Sequence, residues 1–323
     1  MNKPHLSIVT PAYNCASCIP ELDRRLIPAI ESITQDYEII YVDDGSPLED
    51  WAIIKSLSRK NDKIRGIRLS RNYGQHYAIT AGLDHVRGDW IVVMDCDLQD
   101  QPEEIFRLYQ KAMQGYDIVF ARRSQREHNL TRKFLSFGFT ILYNWLGGID
   151  FDNRLSNFSI SSSKVIRGFC KFRERNRSFP LILLESGFRY ANIDVKHGER
   201  FSGKSSYTLS NLLSFAIQCV LFRSNKPLLI SIKFGFSLSL LSMIFGSFVL
   251  ARYYYNDISV PGWTTLAILI SFLGGLGFAN LGVLGLYIGK VFEEVKNRPL
   301  YLVQESLNDP ELTKNRNSFT IKT

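Results

Sequence analysis

From Leu6 to Ala121 the chain alternates short, β-branched apolar runs with longer segments whose apolar residues recur every three or four positions. Leu6–Thr10, Tyr37–Val42, Ile64–Leu69, Trp90–Met94 and Asp117–Ala121 have the length and composition of buried strands. Between them, residues near Ile19–Thr34, Trp51–Arg59 and His76–Val86 carry helical spacing. Such alternation predicts an α/β domain on a mainly parallel, doubly wound sheet. Right-handed crossovers would then gather the carboxyl ends of the strands at one edge, where open sheets of this kind bind ligands.

The pattern changes in the last third. Leu209 to Phe222 is amphipathic, with Ser210, Asn211, Ser214 and Gln218 among apolar residues, and suits a membrane surface or a helix packed on the first domain. Phe234–Ala251 carries no charge and would reach roughly 27 Å as a helix. The preceding Leu228–Ile232 extends it towards the ~30 Å of a hydrocarbon core. A second uncharged stretch, Ile258–Gly289, is broken near its start by Pro261-Gly262. Two transmembrane helices are therefore expected, with Gly274, Gly275, Gly277, Gly282, Gly285 and Gly289 allowing close helix contact, including across subunits of a homo-oligomer such as a tetramer. Arg223, Lys226 and Lys233 precede the first span and Lys290, Lys296 and Arg298 follow the second. The positive-inside rule then places the first domain and both termini in the cytoplasm. The expected division is residues 1–207, a juxtamembrane helix at 208–227, two spans within 228–289, and a tail at 290–323, disordered past about Glu305.

Charge narrows the partners. The chain has 39 Lys and Arg against 31 Asp and Glu, a formal +8, which suits a phosphorylated substrate or an anionic membrane face. Nucleic acid is not expected, because the basic residues cluster beside apolar segments and no motif for it occurs. The opening residues run straight into a strand, so no cleavable signal peptide is expected. Five cysteines are scattered, and Cys15 and Cys18 are spaced Cys-x-x-Cys with no second pair or His cluster nearby. A zinc or redox role for that pair is the alternative, and reduced, structural thiols in a cytosolic domain are expected.

The chemistry gathers at strand ends. Asp95-Cys96-Asp97-Leu98-Gln99-Asp100 follows the fourth run, and Pro102-Glu103-Glu104 then opens a helix. Asp95 and Asp97, with the Gln99 carbonyl, are hard oxygen ligands of the kind Mg²⁺ or Mn²⁺ takes. A capped, solvated acidic turn is the plainer alternative. A second acidic turn, Asp43-Asp44-Gly45-Ser46, would meet it at the same edge. Arg122, Arg123, Arg126, Arg132 and Lys133 follow the fifth strand and suit a phosphate, since arginine offers paired donors and stays charged. Neither Gly-x-x-x-x-Gly-Lys-Ser/Thr nor Gly-x-Gly-x-x-Gly follows the first strand, so a metal would have to neutralise a bound diphosphate.

Four segments, Ser7–Asn14, Val42–Ser46, Leu69–His76 and Asp95–Asp100, resemble in order the motifs of family 2 glycosyltransferases of the GT-A fold. The chain is most similar to the membrane-anchored polyprenyl-phosphate group, which includes dolichyl-phosphate mannose synthase, GtrB-type glucosyltransferases and the undecaprenyl-phosphate aminoarabinose transferase. The resemblance runs to about Val303. It implies a sugar moved from a nucleotide diphosphate, UDP by preference, to a polyprenyl phosphate at the inner membrane. It implies that Pro11, Tyr13, Asp43, Asp44 and Asp95 bind the nucleotide. Asp97, supported by Asp95 and Gln99, would hold the metal. Arg122, Arg123, Arg126, Arg132, Arg200 and Lys204 would face the acceptor phosphate.

The chain also departs from the family pattern. Asn157 stands where many relatives have an aspartate proposed as base, leaving Asp150 or Asp152 to orient the acceptor. In the loop His197–Tyr207, Arg200 and Gly203 match, while the lysine has moved from the position of Ser206 to Lys204. A processive polysaccharide synthase and a catalytically silent membrane scaffold are the rival readings.

Overall fold

The computed structural model describes residues 4–47, 49–123, 155–175, 177–195, 226–255 and 262–309. The residues up to 123, 155–195 and 298–309 belong to one compact unit, and 226–255 with 262–297 to a second.

The first unit is built on β1 (Leu6–Ala12), α1 (Ile19–Glu31), β2 (Tyr37–Asp43), α2 (Asp50–Lys60), β3 (Ile64–Leu69), α3 (Gln75–Leu83) and β4 (Trp90–Val93). A turn of 3₁₀ helix at Pro102–Glu104 leads into α4 (Ile105–Ala112), followed by β5 (Ile118–Arg123), β6 (Leu155–Ser162), α5 (Ser163–Phe169), α6 (Phe179–Glu185) and β7 (Tyr190–Val195). The eight-stranded sheet is closed by β8 (Val303–Leu307) in the order β7-β5-β6-β4-β1-β2-β3-β8. β1 pairs in parallel with β2 and β4, β2 with β3, and β5 with β7; only β6 and β8 run antiparallel to their neighbours. The mixed, mostly parallel GT-A type of sheet is thus present.

β1 and β2 are buried along their whole length, as central strands covered on both faces must be. Alternate residues divide between two cores. Leu6, Ile8, Ile39 and Val92 pack with Ile19, Leu22, Leu26 and Ile30 of α1, while Val9, Ile40 and Val93 pack with Ile79 of α3. Each large side chain so buried stabilises the fold by roughly 2 kcal/mol. A Cβ on Gly82 would lie 2.3 Å from Val9 Cγ1, so α3 sits this close to β1 only because the residue is glycine.

β8 corrects the expected tail. Glu305 lies within this strand, where it accepts hydrogen bonds from Trp51 Nε1 at 2.9 Å and Lys55 Nζ at 3.1 Å. Beyond it Asp309 is buried and pairs with Arg65, which also donates to Glu38 at 2.6 Å. Order therefore continues past Glu305, because the chain finds a sheet edge and a buried guanidinium to satisfy.

The second unit contains α7 (Lys226–Tyr255) and α8 (Trp263–Val295), joined by a hydrogen bond from Ser231 to Asn280. Among the described residues one stretch, Phe272–Val295, is long and apolar enough to cross a membrane, and Leu228–Leu238 is a shorter apolar stretch. The amphipathic segment 209–222 lies outside the described residues.

Candidate active site

The ends of β1, β2, β3, β4 and β5 and the start of the antiparallel β6 share one edge, and each contributes a polar segment. Asp95, Asp97 and Gln99 follow β4 and are half-buried. The Gln99 N–H donates to Asp97 Oδ1 at 3.1 Å, closing the tight turn an aspartate makes with the backbone two residues on. Leu98 between them has φ +61°, a left-handed backbone that a side chain of its kind adopts only under constraint. Asp95 Oδ1 accepts from Gln75 Nε2 at 2.6 Å and faces Asn157 Nδ2 at 3.5 Å. Asn157 thus reaches the acidic turn from β6, as a neutral donor. Among the described residues no group of three His, Cys, Asp or Glu side chains draws together.

The two carboxylates at the end of β2 are committed to the fold. Asp43 is fully buried; its Oδ1 accepts the Ser46 N–H at 2.8 Å and its Oδ2 lies 3.2 Å from Arg68 Nε. Burial pushes its carboxyl up to about 6, against the opposing pull of the Ser46 N–H and Arg68. Asp44 accepts the Tyr73 N–H through Oδ1 and the Gly74 N–H through Oδ2, both at 2.8 Å. It therefore clamps the loop after β3. Burial raises its pKa too, and those two N–H bonds oppose the rise. Gly45 has φ +66°, and a Cβ there would stand 2.4 Å from the Arg71 carbonyl carbon, so these two loops are in backbone contact.

At the end of β1, Pro11 is buried and pairs with Val42, while Tyr13 is 44 % exposed. The Asn14 N–H donates to Ser46 Oγ at 3.1 Å and the Cys15 N–H to Asp50 Oδ2 at 2.8 Å, tying the β1 loop to the β2 loop and to the start of α2. Cys15 and Cys96 form a disulfide, with Cα atoms 6.5 Å apart. The expectation of reduced thiols is corrected for this pair, whereas Cys18 is buried and outside the disulfide. The reason is register. Val9 pairs with Val93, so the turns that follow β1 and β4 emerge side by side.

The arginine cluster is only partly described. Arg122 is at the same edge, but its guanidinium is held by Asp194 of β7 in a paired contact at 2.6 and 2.9 Å. Arg123 ends β5. Arg126, Arg132, Asp150, Asp152, Arg200 and Lys204 lie outside the described residues. His76 accepts the Phe179 N–H at 3.3 Å, and burial, with Arg177 nearby, lowers its pKa to about 4, so it is a neutral structural group. Gln75 and Asp194 are the site residues that reading the sequence missed. Gln75 was legible in part, as a polar residue directly after a glycine at a strand end. Asp194 was not, because β7 reaches β5 only through the sheet crossover.

Residues 7–170 match the model of Glycosyl transferase family 2. An uncharacterized glycosyltransferase of Synechocystis sp. is 34% identical over 301 residues, covering 93% of this chain and 95% of its own. The undecaprenyl-phosphate 4-deoxy-4-formamido-L-arabinose transferase of Shewanella sediminis is 34% identical over 309 residues, covering 95% and 93%. Among solved structures, mannosyl-3-phosphoglycerate synthase from Rubrobacter xylanophilus is similar at a TM-score of 0.49 and 16% identity, over 69% of this chain and 74% of that one. On the family match and on relatives alike along nearly their whole length, the chain belongs to glycosyl transferase family 2.

Proposed function

We propose that this glycosyltransferase moves a sugar from a nucleotide diphosphate donor, by preference UDP-linked, to a polyprenyl phosphate at the cytoplasmic face of the inner membrane, with inversion at the anomeric carbon. The observation that carries the reading is the meeting of the Asp95–Asp97 turn, the β1 and β2 loops and Asn157 at one sheet edge. The polyprenyl acceptor is supported by relatives that carry undecaprenyl phosphate in their names.

Asp97, with Asp95 and Gln99 in support, would hold Mg²⁺ or Mn²⁺. The donors fit such a cation, which takes one or two carboxylates from protein and completes its shell with water and substrate phosphate. When bound, the ion stabilises the charge of the departing diphosphate. Gln75 and Asn157 keep Asp95 oriented towards that turn. Tyr13 offers an exposed ring for the base, backed by Pro11, and the buried Asp43 and Asp44 serve base and ribose by fixing the loops that would frame them.

Asn157 is not a base, since its amide donates. None is required, because a phosphate monoester has its second pKa at about 6 and reaches pH 7 as an oxyanion nucleophile. Arg123, Arg126, Arg132, Arg200 and Lys204 orient that phosphate, and Asp152 its approach. Arg122, held by Asp194, shapes the rim of the site.

Both long helices would span the bilayer as part of a homo-oligomer. Phe236 and Phe278, each 76 % exposed, show the outward apolar faces that lipid would cover.

Purified full-length protein, incubated with labelled nucleotide sugars, polyprenyl phosphate and Mg²⁺ or Mn²⁺, should yield a lipid-linked sugar. A long water-soluble polymer would instead establish a processive synthase. No product with any donor would leave a membrane scaffold.

A further inference from the structure

We propose that Cys15 and Cys96 form a reversible thiol–disulfide site that controls how firmly the metal-binding turn is held. This regulation rests on the reading of Asp95 and Asp97 as the metal turn. The pair joins two loops 81 residues apart in sequence that leave neighbouring strands side by side. Cys96 is the residue between the two aspartates, so its backbone cannot shift without moving both carboxylates. Cys15 is anchored in turn, its N–H on Asp50 Oδ2 at 2.8 Å and the neighbouring Asn14 N–H on Ser46 Oγ at 3.1 Å. The disulfide therefore ties the acidic turn to the frame formed by the β1 and β2 loops.

Without the disulfide the turn loses its covalent tie, while the Asp97–Gln99 bond and the Gln75 and Asn157 amides on Asp95 are among the contacts that remain. It must also keep Leu98 at φ +61°. Fewer restraints on a strained turn mean a larger ordering cost when a cation binds. On the cytoplasmic placement proposed above, in a compartment where lasting structural disulfides are rare, a disulfide at this place reads as a responsive one. The exchange balances with a dithiol donor. Its thiolate attacks one sulfur, the S–S bond breaks, and the second thiol closes a disulfide in the donor. Two electrons and two protons pass to Cys15 and Cys96, leaving both as thiols. Cys15 and Cys96 are themselves 9 % and 5 % exposed, and since Tyr13, Asn14 and Ser17 around Cys15 are exposed, the approach is from the β1 loop.

The test uses the full-length protein in detergent, oxidised with glutathione disulfide or reduced with dithiothreitol. Peptide mapping after thiol alkylation should find a Cys15–Cys96 linked peptide in the oxidised sample and two alkylated cysteines in the reduced one. Mn²⁺ affinity, read by electron paramagnetic resonance of the free ion, should weaken about tenfold on reduction, the scale expected when support around a metal site is lost, and return on reoxidation. Cys96→Ser should show the weaker affinity under both conditions, and Cys170→Ser should respond as the parent does. The reduction series on the unaltered protein decides the matter even if Cys96→Ser fails to fold. Absence of the linked peptide, an affinity unchanged between the two states, or no Mn²⁺ binding in either would overturn the proposal. These readouts do not use sugar transfer. A redox-dependent Mn²⁺ affinity without lipid-linked product removes the proposed reaction alone, and product with redox-independent affinity removes this inference alone.

Discussion

Asp95 and Asp97 stand one residue apart and are held differently. Asp97 closes its own turn through the Gln99 N–H, whereas Asp95 is oriented from outside by Gln75 and Asn157. Asp97→Ala should therefore lower turnover by at least ~100-fold, the scale seen when a charge-stabilising group is lost, with an unchanged circular dichroism spectrum. Unchanged turnover would remove Asp97 from the proposed metal site. Asp44 is the opposite case. Asp44→Ala strands the Tyr73 and Gly74 N–H groups and should cost about 2–3 kcal/mol, read as a lower unfolding midpoint. At Asp43 the sign follows from a folded pKa of about 6 above an ordinary value of 3.8. The folded state holds the proton more tightly, so this group's contribution is full below pH 3.8 and is lost as pH rises to about 6. Compared with Asp43→Asn, the parent protein should lose stability across that interval in thermal melts at stepped pH. The sequence made these carboxylates visible, but not that Asp44 would face two backbone N–H groups from another loop.

At the scale of elements, the parallel strands were legible because each is a short apolar run between polar turns. β3 spans Ile64–Leu69 as expected, and α3 begins at Gln75, one residue before the helix the pattern predicted. That one residue brings an amide onto Asp95. β6 was not legible. Its text, Leu-Ser-Asn-Phe-Ser-Ile-Ser-Ser, buries Ser156, Ser159 and Ser161, and small polar residues mask an inner strand. β7 alternates exposed and half-buried residues along most of its length, as an edge strand can. The loops are as demanding as the strands. Gly45→Ala combines a left-handed backbone with a 2.4 Å approach to Arg71, so the β2 and β3 loops must part. Loss of at least ~1 kcal/mol from the backbone alone is expected, with weaker nucleotide affinity in a titration calorimeter.

At the scale of the molecule, the catalytic unit is completed by chain that returns after α8. β8 covers the edge of β3, and Asp309 neutralises Arg65 deep beside Glu38. Asp309→Ala should cost about 3 kcal/mol, because it leaves a buried guanidinium short of one partner. By itself the sequence determined the parallel half of the sheet, the acidic turns and the two apolar segments, since period, turn chemistry and uncharged length are properties of neighbours along the chain. Only the tertiary structure decided that Cys15 meets Cys96, that Arg122 turns to Asp194, and that the tail ends in the sheet. Those contacts join residues far apart in the chain, and the register of the strands, not any local preference, brings their atoms within bonding distance.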